Sequence, residues 1–117
     1  MPNSNRPTIS THVLDTLRGE PAAGVEVTVW RLSHQQQIAQ GTRETDKDGR
    51  IADAMDGLLA AGTYRISFEV GAYYKKKGDA QPFMQRFTLD VEITDARRSY
   101  HIPLLMSPFA CSSYRGS

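Results

Sequence analysis

Cysteine is nearly absent: Cys111 stands alone in 117 residues, so no bridge can form within the chain and a disulfide-stapled scaffold is excluded. Charge of one sign is missing too. Fourteen basic and thirteen acidic side chains leave a formal +1, too weak a field to draw nucleic acid or an anionic membrane surface, and Lys75-Lys76-Lys77 reads as a solvated face. No apolar run approaches the ~18 residues a membrane span needs. Met1 to Arg6 lacks the apolar stretch of a secretory signal, and the terminal Arg-Gly-Ser is not the Ser-Lys-Leu peroxisomal address. These absences lead us to expect a cytoplasmic protein, or a periplasmic one if a leader has been removed.

Common catalytic signatures are missing as well. Three well-separated histidines and one cysteine match no zinc spacing. Asp46-Lys47-Asp48-Gly49 opens like a calcium loop, but its glycine comes too early and Gly57 stands where the bidentate glutamate belongs. There is no Gly-x-Ser-x-Gly elbow, dinucleotide fingerprint or phosphate loop. Neither a metal nor a cofactor is expected.

What is present is a series of short β-rich segments separated by turn residues, with no internal repeat, the pattern of an all-β sandwich or barrel in one domain spanning 1–117. Residues 1–7 are expected to be flexible and 8–14 to form the first strand. Val25, Val27 and Val29 alternate with Glu26, Thr28 and Trp30, which marks a strand with one buried face. A strand over 37–45 leads into the Asp48-Gly49 hairpin turn, which Arg50 leaves at once. Tyr64, Ile66, Phe68 and Val70 alternate with Arg65, Ser67 and Glu69, and a further strand covers 86–93. Residues 71–79 are the one segment open to a short helix or an irregular loop, since Pro82 stops any helix before the next strand.

The C-terminal end carries the chemistry. Residues 99–109 read as a strand and a corner at Ser107-Pro108, followed by a return strand. A register centred near Pro108 sets His101 opposite the neighbourhood of Tyr114 to Gly116 and pairs Cys111 near Leu105, roughly 13 Å along the strand from His101, which argues against a Cys–His dyad. The final Tyr114-Arg115-Gly116-Ser117 is a costly tail for a domain that needs only packing. Taken singly, His101 and His12 read as ordinary half-exposed strand histidines, Arg50 as a solvated arginine after a turn, and Tyr114 and Arg115 as caps on a sheet edge. His34, in a polar turn, is simply solvated.

Read together, Ser10-Thr11-His12-Val13-Leu14-Asp15, Asp48-Gly49-Arg50, Tyr100-His101-Ile102-Pro103-Leu104-Leu105 with Ser107-Pro108-Phe109, and the terminal Tyr114-Arg115-Gly116-Ser117 closely resemble the transthyretin-like 5-hydroxyisourate hydrolases of urate breakdown. The resemblance implies a transthyretin-like (prealbumin-like) sandwich of two four-stranded sheets with one short helix. It also implies a homotetramer built as a dimer of dimers, with sites in the groove where dimers meet. The implied reaction is a cofactor-independent hydrolysis. His12, His101, Arg50 and Ser117 are the implied catalytic groups, and His12, Arg50, Tyr114, Arg115 and Gly116 the substrate-binding ones. Two departures touch groove lining or assembly: Gln81-Pro82-Phe83-Met84-Gln85, and Cys111 at a position commonly aromatic. The rival readings are a transthyretin-like carrier, which holds a flat aromatic ligand without turnover, and a β-sandwich interaction domain, which leaves the tail unexplained.

Overall fold

The computed structural model describes residues 6–79 and 81–116. In chain order the elements are β1 (Ile9–Asp15), β2 (Glu20–Pro21), β3 (Glu26–Ser33), β4 (Gln36–Glu44), β5 (Arg50–Ile51), β6 (Gly62–Phe68), α1 (Val70–Lys76), β7 (Phe87–Ile93), β8 (Tyr100–His101), β9 (Leu104–Met106) and β10 (Cys111–Ser113). They form two sheets. One runs β4-β3-β6-β7; the other runs β10-β9-β1-β2, with the short β5 and β8 also paired to β1. The expected four-stranded pair of sheets is therefore present, with β5 and β8 as two-residue additions.

Period-2 alternation builds the core. Ile9, Thr11, Val13 and Asp15 of β1 point inward, while Ser10, His12 and Leu14 point out and are half-buried. Val27 and Val29 on β3, with Tyr64, Ile66 and Phe68 on β6, close the core from the other sheet. Ser67 is buried although it falls on the polar phase of β6; its hydroxyl bonds that of Thr88 at 2.8 Å, so the position is satisfied. The expected strand over 99–106 splits into β8 and β9 at Ile102-Pro103, where proline lacks a ladder donor. The C-terminal hairpin pairs Cys111 with Met106, one residue from the expected Leu105.

The segment over 71–79 resolves as a helix that starts one residue earlier, at Val70, and it is anchored by a buried carboxylate. Asp15 accepts hydrogen bonds from the Tyr73 and Tyr74 hydroxyls, both at 2.8 Å, from the Leu17 amide and from the amide and guanidinium of Arg18. Burial pushes this carboxyl up, but the bonds from Tyr73, Tyr74 and Arg18 outweigh it and hold the group below its ordinary value. Its stabilising contribution is thus complete above the ordinary carboxyl range and is lost as pH falls through the lower folded value. Asp15→Ala is expected to lower stability by about 3 kcal/mol, because the buried Tyr73 phenol loses its acceptor while Tyr74 and Arg18 each lose one of two, keeping only the Met106 carbonyl and Asp79. An unchanged urea midpoint would refute this. At the N-terminus, the expectation of flexibility for 1–7 falls largely on residues outside those described; Arg6 is tied to Asp53 at 2.7 Å and to the Met55 carbonyl.

Candidate active site

β1 is the strand that assembles the site, because successive residues along it bond to opposite sides. Ile9 and Val13 exchange backbone hydrogen bonds with Ala54, Gly49 and Ala22, whereas Ser10 and Thr16 bond Ile102 and Met106. β5 therefore lies on one side of β1 and β8 with β9 on the other. In this arrangement His12 is the register partner of Arg50, and Ser10 is the parallel partner of His101. Neighbouring strands are ~4.8 Å apart, so Ser10, His12, Arg50 and His101 form one patch on the outward face of the sheet. Leu14 and Leu105, paired and half-buried, continue that face as an apolar strip.

The turn ahead of Arg50 is built by Asp46. Its Oδ1 accepts from the amides of Asp48 and Arg50, both at 2.9 Å, and its carbonyl accepts from Gly49. Gly49 has φ +77°, and a Cβ there would sit 2.5 Å from the Val13 carbonyl, so only glycine lets the turn close onto β1. The backbone amides of Arg50 and Asp48, with the charges of Arg50 and His12, hold the Asp46 carboxyl below its ordinary value.

His101 is a partly buried ring held on two flanks. Its Nδ1 lies 2.9 Å from the Ser10 hydroxyl. On the other side Gly116 pairs with it through a single bridge, Gly116 N donating to the His101 carbonyl at 2.7 Å. A Cβ on Gly116 would come within 2.7 Å of His101 Cδ2, so glycine is needed here for close approach to the histidine. Burial lowers the His101 pKa, and the charges of His12 and Arg50 lower it further. The imidazole is thus neutral at and above the ordinary histidine range, which is the form that accepts a proton.

The rest of the tail lies on the flank. Arg115 stacks over Tyr100, 5.0 Å from the ring centroid, and with Tyr114, Ile102, Leu89 and Val91 it borders a shallow apolar groove of about 170 Å³ at the sheet edges. Tyr114 is 58% exposed. Ser117 lies outside the described residues. His34 sits exposed in the β3–β4 turn of the other sheet, outside the strands that form the patch. A concavity of about 560 Å³ lies on the outer face of the other sheet; its arginines are already paired, Arg65 with Asp90 and Arg86 with Glu69. Among the described residues no cluster of three or more His, Cys, Asp or Glu is placed to hold a metal ion.

The residues singled out from sequence thus separate into two groups: His12, Arg50, His101 and Gly116 meet on one face, while Tyr114 and Arg115 border the adjoining edge. Ser10 and Asp46 were not singled out. A signal for each existed: Ser10 shares the outward phase of His12 two positions on, and Asp-x-x-Gly is a turn in which the first side chain caps later amides.

The HIUase/Transthyretin family matches residues 9–116. The 5-hydroxyisourate hydrolase of Deinococcus radiodurans is 40% identical over 118 residues, covering 97% of this chain and 99% of that protein. Among solved structures, the 5-hydroxyisourate hydrolase of Klebsiella pneumoniae superposes with a TM-score of 0.84 at 34% identity, covering 95% of this chain and 99% of that one. Sea bream transthyretin, solved with thyroxine, superposes equally well, with a TM-score of 0.85, but at 26% identity over 92% and 93% of the two chains. Fold alone therefore does not separate enzyme from carrier, whereas sequence identity favours the enzymes. By a match over nearly all of its length, with the paired His12 and Arg50 and the His101–Gly116 bridge inside it, the chain belongs to the HIUase/Transthyretin family.

Proposed function

We propose that this chain hydrolyses 5-hydroxyisourate in urate breakdown. Water adds to a ring carbonyl, the adjacent carbon–nitrogen bond of the six-membered ring breaks, and the leaving nitrogen takes a proton, giving 2-oxo-4-hydroxy-4-carboxy-5-ureidoimidazoline. The observation that carries this reading is the placement of His12, Arg50 and His101 on one sheet face.

His101 takes the proton from water, because its lowered pKa supplies the basic form near neutral pH. His12, facing Arg50 across the strand pair, orients the water or relays the proton. The Arg50 guanidinium binds the anionic substrate and the oxyanion that develops as water adds, using paired donors. Gly116 brings the tail against His101, and the stacked Arg115 anchors that tail beside Tyr100. The exposed Tyr114 phenol is then the tail group free to reach a ligand, and the Ser117 hydroxyl completes the set. A carrier has no use for two histidines and a guanidinium on one face.

The patch lies open on a single chain. We assign its closure to a homotetramer, a dimer of dimers whose groove covers the outward face of β1. Two features support this: the half-buried Leu14–Leu105 strip beside the patch, and the outer strands β7 and β10, which end their sheets. The test is to generate 5-hydroxyisourate in situ from urate with urate oxidase and follow its ultraviolet decay. Decay well above the spontaneous rate is expected, and it should fall when the protein is diluted to dimers. Decay at the spontaneous rate by folded tetramer would leave the carrier reading; full activity in an isolated dimer would refute the groove placement.

A further inference from the structure

We propose that Ser10 is a positioning residue that fixes His101 in the ring orientation and tautomer a general base requires; the functional part of this rests on the hydrolase reading above. The two residues are partners on parallel strands, and the Ser10 hydroxyl meets His101 Nδ1 at 2.9 Å. The backbone beneath them is pinned on both sides, Ile102 N donating to the Ser10 carbonyl at 2.9 Å and Gly116 N to the His101 carbonyl at 2.7 Å. Thr11, the next residue, turns inward and bonds the Ile102 carbonyl.

Both ring atoms that flank Cγ are therefore hemmed in: Nδ1 meets a hydroxyl, and Cδ2 faces Gly116 so closely that a Cβ there would come within 2.7 Å. A half-turn about the Cβ–Cγ bond would set a carbon against Ser10 and the nitrogen against Gly116, losing the hydrogen bond. Among the hydrogen bonds of the described residues, the one to Ser10 distinguishes the two orientations.

A serine hydroxyl both donates and accepts, which matters for a group that cycles its charge. When it accepts from Nδ1–H, the free lone pair of His101 is on Nε2, at the outer end of the ring. After Nε2 takes a proton from water, both nitrogens are donors and the Nδ1–H bond to Ser10 persists. The ring can then pass the new proton to the leaving nitrogen without turning. This is the role that a carboxylate or carbonyl plays behind other histidines, filled here by a neutral group that leaves the lowered pKa of His101 in place.

Ser10→Ala is expected to reduce kcat by about 10–100-fold with little change in KM, and Ser10→Thr, which keeps the hydroxyl, to stay near wild type. Nitrogen-15 NMR of the unliganded protein should show His101 mainly as the Nδ1–H tautomer in wild type and the threonine variant, and as a mixture in the alanine variant. A wild-type protein with the His101 proton on Nε2, or an alanine variant with undiminished kcat, would overturn the proposal. Should wild type show no hydrolysis at all, the hydrolase reading fails by itself, and the tautomer measurement still decides whether Ser10 positions the ring.

Discussion

His101→Asn is expected to lower kcat/KM for 5-hydroxyisourate by about 10²–10⁴-fold, the usual contribution of a positioned general base. Asparagine is the informative replacement because its amide can still bond the Ser10 hydroxyl and sit against Gly116, so the loss reports proton transfer rather than a disturbed tail. In the wild type, burial and the charges of His12 and Arg50 lower the pKa of His101 from 6.5. The acid limb of kcat/KM should accordingly lie below that value, since the neutral form persists to lower pH, and it should vanish in the variant. His34→Asn is the matched control: it replaces an exposed turn histidine with φ 50° by a residue that tolerates that conformation, and activity should be unchanged. Wild-type turnover by His101→Asn would remove this histidine from the mechanism.

Arg50→Ala should cost about 10²–10³-fold in kcat, the range for removing one oxyanion donor, together with a raised KM because the same guanidinium holds the anionic ground state. A second consequence separates this role from a structural one. Arg50 is exposed, and its backbone is held by Asp46, so the turn survives loss of the side chain. Arg50 also lowers the His101 pKa by its charge, so the residual activity should show an acid limb displaced upward. Arg50→Lys keeps the charge but not the paired donors, and it should retain the low acid limb while losing much of the rate. An alanine variant with normal kcat and an unmoved acid limb would sink the assignment.

Much of the fold was legible before any coordinates. The alternation of Val25, Val27 and Val29, and of Tyr64, Ile66 and Phe68, names the inward faces of β3 and β6, because one face of each strand has to meet the other sheet. Asp48-Gly49 marks its turn through glycine's access to positive φ. The hairpin near Pro108 brought the tail beside His101 to within one residue of the observed register. The buried Asp15 was not legible: its phenolic partners come from a helix 58 and 59 residues away, and only their arrival makes burial of that carboxylate tolerable. Ser67 escaped for the same reason, since its partner Thr88 lies on another strand.

For the candidate site the division is similar. The kinds of chemistry available, two strand histidines, an arginine leaving a tight turn and a polar tail, were written in the chain itself, because residue type and local turn geometry depend on near neighbours. That His12 faces Arg50, and that Ser10 stands behind His101 from 91 positions away, was decided only by the pairing of β1 with β5 on one side and β8 on the other. Strand register is set by which faces two sheets can bury together, a property of the packed whole that no local segment carries.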